Sequence, residues 1–296
     1  MFADAIEMVS DFTKPILFIS KGYKDFTIFP GTATMFFVND NGVAVTCKHV
    51  AQAVINADMV NKKYFEFKNN RAAMEKLPNK KEKLKALEKQ YNYKEGVIVN
   101  QKCNFVGAVA PIKTFTVHFH ENLDLAIIEF KGFENKFYKG HAVFAKDSNS
   151  VRPGDFLCRV GYPFPEFNNY NYNHETDDIE WSNIGNHNIP RFPVDGMVTR
   201  FVGNEEGNII GIELSTPGFM GHSGGPLFDK NGRIYGMQFI TRHLHMGFDI
   251  NNLNMIVNGK EQIVNNQPFL HVGNCITGNA IKEFLDKFNI EYFEEW

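Results

Sequence analysis

Short apolar runs, each closed by a turn signal within a few residues, recur along most of this 296-residue chain. They fall at 16–19, 34–38, 43–46, 105–110, 115–119, 125–130, 156–162, 196–202, 209–214, 226–228 and 234–240. Runs this brief suit strands rather than the helices of a globular core. Asn39-Asp40-Asn41-Gly42 makes residues 34–46 a hairpin, and Asp229-Lys230-Asn231-Gly232 is a second tight turn. The pattern predicts an all-β chain closed into a barrel or sandwich. The 29 Phe and 24 Gly suit aromatic-packed strands joined by tight turns. A chain of this length buries a core without disulfide or metal staples.

Four segments depart from the strand pattern. Residues 3–10 read as a short helix. Residues 51–95 are rich in Lys, Glu, Ala and Leu and broken by Pro78-Asn79, which predicts an inserted helical hairpin. Between Asn61 and Lys94 lie 11 basic and 4 acidic residues, so this insertion carries +7 and the rest of the chain −10. That charge is either a solvated face or a docking surface for an acidic partner or a nucleic acid. Residues 164–193 are Asn-rich without periodicity and read as a long surface loop. Residues 279–288 place Ile281, Phe284, Leu285 and Phe288 at helical spacing, hence an amphipathic terminal helix.

The net charge of −3 gives no global pull toward nucleic acid or anionic lipid. No segment approaches the roughly 18 apolar residues of a membrane span. The first residues are acidic where an export signal would be basic. Cys47, Cys103, Cys158 and Cys275 form no CxxC pair, so free thiols in a reducing, cytoplasmic setting are expected.

Chemistry concentrates in Gly221-His222-Ser223-Gly224-Gly225-Pro226. A serine flanked by glycines can stand on a sharply turned, unhindered backbone. The N–H groups of Gly221 and Ser223 could converge on one oxyanion. Serine needs a base, and His49, directly after the 43–46 run, is the histidine placed to serve. Asp124, at the mouth of the apolar run 125–130, suits the carboxylate that orients such an imidazole. The pairs His118/His120 and His243/His245 are HxH arrangements, too few in ligands for a metal site. No metal or other cofactor is expected.

The stretch from Gly31-Thr32-Ala33-Thr34 to Thr46-Cys47-Lys48-His49-Val50 resembles the histidine region of chymotrypsin-like serine proteases. Asp124-Leu125-Ala126-Ile127 resembles their aspartate region, and Gly221-His222-Ser223-Gly224-Gly225-Pro226-Leu227 their nucleophile motif. The order His, Asp, Ser is that of chymotrypsin. The resemblance implies two six-stranded antiparallel β-barrels, roughly residues 1–135 and 136–296, with the site between them. It is nearest the bacterial high-temperature-requirement type. His222 stands where secreted members carry an acid that pairs with a cleaved N-terminus, so control would come from a loop or partner. Phe239 stands where many members place a Ser or Thr beside the aspartate, on the strand Met237 to Thr241 that would pair with the substrate backbone. The resemblance puts Pro217 at the floor of the main side-chain pocket, followed by Phe219 and Met220, with Thr241 narrowing the entrance. With no acid there, a small or medium apolar residue is expected before the cut.

Two rivals remain. Gly221-His222-Ser223-Gly224-Gly225 also fits the nucleophile elbow of α/β-hydrolase esterases, with Asp249 and His271 as late partners. A protease fold serving as a catalytically weak binding module is the other. The favoured expectation is a cytoplasmic serine endopeptidase acting on protein or peptide substrates, with a regulatory protein partner at the helical insertion.

Overall fold

The computed structural model describes residues 2–74 and 78–295. Six strands form the first sheet, in the order Ile98–Phe105, Thr13–Gly22, Ile28–Phe37, Val43–Thr46, Ala126–Lys131 and Thr114–Phe119. Every pairing is antiparallel. The sheet curls until its two edge strands meet at the rings of Phe105 and Phe115, 5.8 Å apart.

The second barrel closes by hydrogen bonds. Strand Pro226–Phe228 pairs with Phe156–Gly161, and the sheet continues through Phe192–Gly203, Ile209–Leu214, Phe269–Thr277 and Ile234–His245. The last of these pairs back with Pro226–Phe228 and completes a six-stranded ring. Two short strands, Val143–Ala145 and Phe293–Glu295, join the rim in parallel, an addition to the expected antiparallel pattern.

One apolar core runs through both barrels. Met35, Val45 and Ile127 of the first share it with Val160, Phe228, Met237 and Ile276 of the second. The terminal helix Gly278–Asp286 adds Ile281, Phe284 and Leu285 to the same core. The opening helix Ala3–Phe12 lies against the second barrel, with Phe2 edge-on to Phe228 and Tyr162 donating to the Thr13 carbonyl.

The insertion is helical as expected, but its first helix, Lys48–Met74, begins early enough to carry His49 in its first turn. The second, Lys80–Tyr91, begins after Pro78-Asn79; residues 75–77 lie outside the described part. Tyr64, Phe67 and Leu87 pack with Tyr23, Tyr93 and Val99 into a separate aromatic cluster. The segment 164–193, expected as a structureless loop, contains a hairpin, Tyr170–Asn173 with Asp178–Trp181. Its fold depends on distant partners. Asp177 accepts from Tyr64, Tyr172 and Arg71 and lies 3.6 Å from Lys21, and Asp178 accepts from Asn100 and Lys102. A further hairpin, Ile250–Val257 with Lys260–Asn266, extends from the second barrel and carries exposed Leu253, Met255, Ile256 and Ile263. Among the described residues no helix is long and apolar enough to cross a membrane.

Candidate active site

Strand Val43–Thr46 is buried throughout, and Cys47 passes the chain directly into the helix that bears His49. A helix start has N–H groups with no partner inside the helix, and it favours negative charge nearby. Asp124 meets both needs. Its Oδ1 accepts from the His49 backbone N–H at 2.9 Å, and its Oδ2 lies 2.6 Å from His49 Nδ1. Burial pushes the Asp124 carboxyl up, but hydrogen bonds from the His49 side chain and backbone outweigh it and hold the group below the usual range. An ionised Asp124 requires the proton on Nδ1, which leaves Nε2 as the free acceptor. Lys48 Nζ donates to the His120 and Glu121 carbonyls and ties the helix start to the loop that presents Asp124.

Ser223 comes from the other barrel, and Thr34 of the first barrel holds its loop. The Thr34 N–H donates to the Ser223 carbonyl at 3.0 Å, and its Oγ1 donates to the Gly221 carbonyl at 2.7 Å. Thr46 Oγ1 in turn donates to the Thr34 carbonyl. Sequence reading took Thr34 only as part of a resembling stretch; nothing local announced its clamping role.

The turn before Ser223 is closed by the His222 N–H on the Phe219 carbonyl, 3.0 Å. Gly221, at φ +95°, takes the left-handed position that a type II turn reserves for glycine. The N–H groups of His222, Gly224 and Gly225 all reach backbone acceptors. Among the described residues no acceptor is found for those of Gly221 and Ser223, which leaves both donors open. His49 and Ser223 line one cavity of about 440 Å³ with Gly221, Met220, Ala33 and Pro163.

His222 has a role unlike that of the acid it replaces. It is fully buried, its Nε2 lies 2.9 Å from the Phe192 carbonyl, and its Nδ1 accepts from the Phe219 N–H. Those partners place the proton on Nε2. Burial pushes its pKa down to about 4. An unfolded histidine titrates near 6.5, so the folded chain loses stability as pH falls through 6.5 toward 4, on the order of 3 kcal/mol. Urea unfolding at pH 7 and pH 4.5 should therefore show a steeper loss for the wild type than for His222→Gln. Equal losses would remove His222 from the account.

The other sequence-selected residues scatter. Met220 reaches the cavity with Ser223 and is almost fully exposed. Phe219 packs on the rings of Phe164, Phe192 and His222. Pro217 offers its carbonyl to Arg159 Nη2, and Thr241 bonds Gly218. Phe239, expected on the substrate-pairing strand, lines a cavity of about 210 Å³ with Asp124, Asn274 and Arg242. A phenyl ring there cannot accept or donate for Asp124, so the missing Ser or Thr is not replaced from that position.

Cys47, His49 and Asp124 are the one group found among the described residues close enough to share a metal ion. Cys47 is fully buried, burial pushes its thiol pKa well up, and His49 and Asp124 are engaged with each other. The two HxH pairs do not converge. His118 bonds Glu129, His120 accepts from Asn122 and Leu123, His243 faces His271, and His245 bonds Asp249. The last two bonds also occupy the late partners an esterase would use. The strand Pro226–Phe228, rather than a helix, follows the serine turn.

The profile of the family described as "Trypsin-like peptidase domain" matches residues 31–237, more than half the chain. No match was found among curated protein sequences. Solved structures to which the chain is similar include the active form of the Rv3671c protease from M. tuberculosis. It is 12% identical, the alignment covers 98% of this chain and 86% of that one, and the TM-score is 0.45. Another is the HtrA-type protease AlgW with a decapeptide, 12% identical, over 98% of this chain and 67% of that one, with a TM-score of 0.48. With the family profile running from the strand before His49 to the strand after Ser223, the chain belongs to the trypsin-like peptidases, a serine protease family.

Proposed function

We propose that this chain is an endopeptidase that cuts peptide bonds through an acyl-enzyme. Ser223 attacks the carbonyl, His49 Nε2 takes its proton and returns it to the leaving amine, and Asp124 fixes the imidazole. The open N–H groups of Gly221 and Ser223 receive the oxyanion. One observation carries the reading. Asp124 holds His49 by two hydrogen bonds, with Nε2 left free, while His49 and Ser223 line one cavity. The side chain before the cut is small or medium and apolar. Four free cysteines, three of them buried, support a reducing, cytoplasmic setting.

The basic insertion supports regulation by an acidic protein partner, because its first helix carries His49 and its outer face is unusually cationic. Labelling with a serine-directed fluorophosphonate tests both parts. Wild type should label, and Ser223→Ala and His49→Ala should not; an unlabelled wild type would favour the binding module. A peptide-against-ester panel then separates protease from esterase. A cell extract should raise labelling of wild type more than of the Lys80→Glu/Lys81→Glu/Lys85→Glu variant. Equal responses would remove the partner.

A further inference from the structure

Arg159 is the largest side chain that is completely buried, and the proposed mechanism makes no use of it. Its Nη1 donates to Gln238 Oε1 at 2.6 Å. Its Nη2 reaches Thr216 Oγ1, the Thr216 carbonyl and the Pro217 carbonyl at 2.8, 3.0 and 3.2 Å. Its Nε has no partner, and no ion pair to it is found among the described residues. Guanidinium stays charged in proteins, and a buried charge without a counter-charge is costly. This one is held by neutral acceptors alone, directly under the segment that supplies Pro217.

The Gln238 amide covers it. Gln238 is 2% exposed, and its Nε2 is fixed on the Ile240 carbonyl at 2.8 Å. A Cβ built on Gly218 would come within 2.8 Å of that amide. A Cβ on Gly273 would come within 2.0 Å of Arg159 Nη1 and 3.1 Å of Gln238 Oε1. The space between the two glycines is therefore already filled. Above it, Thr241 Oγ1 donates to the Gly218 carbonyl at 2.7 Å and accepts from its N–H at 2.9 Å, stitching the two segments together.

We propose that Gln238 and Arg159 together set what this protease accepts before the cut. The Gln238 amide plugs the primary pocket and limits it to small side chains, and the Arg159 guanidinium behind the plug is a preformed carboxylate receptor. The inference rests on the proteolytic reading and on the resemblance, which puts Pro217 and Thr241 around that pocket. It narrows the expectation of a small or medium residue to a small one and names the group responsible. It also implies a latent preference for Asp or Glu, since a planar guanidinium matches a carboxylate two-to-two.

The test uses peptidyl phosphonates that differ only in carrying Ala, Leu or Glu before the reactive group, with labelling rates measured on the full chain. Wild type should react with Ala and discriminate against Leu and Glu. Gln238→Ala should raise the Glu-to-Ala ratio by about tenfold or more, since a buried polar group left unpaired selects strongly for its partner. The gain should vanish in Gln238→Ala/Arg159→Met. Gln238→Asn, one methylene shorter with its amide intact, should shift the ratio the same way by less and serves if the Ala variant does not fold. An unchanged ratio in an active Gln238 variant overturns the inference alone, as does a Glu gain that survives loss of Arg159, or a wild type that takes Leu as readily as Ala. A wild type inert to a simple fluorophosphonate overturns the proteolytic reading with it.

Discussion

Replacing Ser223 or His49 with Ala should lower kcat/KM on a peptide substrate by about 10⁴-fold or more. Asp124→Asn should cost nearly as much. The amide can still receive the His49 backbone N–H at Oδ1, but it cannot enforce a proton on Nδ1 or stabilise the imidazolium. In the proposed triad the three side chains act as a unit, so the Ser223→Ala/His49→Ala double variant should be no worse than either single one. Residual activity would come from the open N–H groups at Gly221 and Ser223, which none of these substitutions removes. Activity of Ser223→Ala within about tenfold of wild type would end the proposal that Ser223 is the nucleophile.

Gly224→Ala should be the most damaging single methyl in the protein. Gly224 sits at φ +89°, and an added Cβ would fall 1.9 Å from the Thr34 carbonyl oxygen and 2.4 Å from Thr46 Oγ1. Neither neighbour can retreat cheaply. The Thr34 carbonyl already accepts from Thr46, and the Thr34 N–H and hydroxyl hold the Ser223 and Gly221 carbonyls. Strain and overpacking together should cost on the order of 4 kcal/mol and separate the barrels at the nucleophile loop. Gly207→Ala is the matched control, because φ there is +84° with nothing within 4 Å. Urea unfolding should show only about 1 kcal/mol of loss for it. Similar losses for the two variants would mean that backbone conformation, not the Thr34 contact, explains the glycine.

What the sequence revealed divides by range. His49, Asp124 and Ser223 were legible because each sits in a short local pattern, a residue at a strand end or in a glycine turn. The insertion was legible because Lys, Glu and Leu displace β-branched residues for dozens of positions. The hairpin Tyr170–Asn173 with Asp178–Trp181 was not, because its strands are only four residues each, too short for their alternation to stand out in an Asn-rich stretch, and draw order from Tyr64, Arg71 and Lys102 far away in the chain. The hairpin Ile250–Val257 with Lys260–Asn266 escaped notice for a related reason. Its apolar residues stand in solvent, so no buried face imposed a period of two. Arg159 looked like an ordinary strand residue. Only the closed ring brings it beneath Pro217, so the sequence offers no more than the absence of a carboxylate there. Its distance from Gly236 places Phe239 beside the aspartate, and the bulge between Gln238 and Ile240 falls at that same position.

The closed ring of the second barrel has a consequence for the timing of activity during synthesis. Strand Phe269–Thr277 is the last of the ring to leave the ribosome, and it joins Ile209–Leu214 to Ile234–His245. Until it is available, the sheet beneath the serine has two loose ends, while the histidine and its carboxylate were translated long before. In the proposed enzyme a nascent chain that lacks this strand should thus be a poor cutter of its neighbours, and the arrival of the strand is what arms the site.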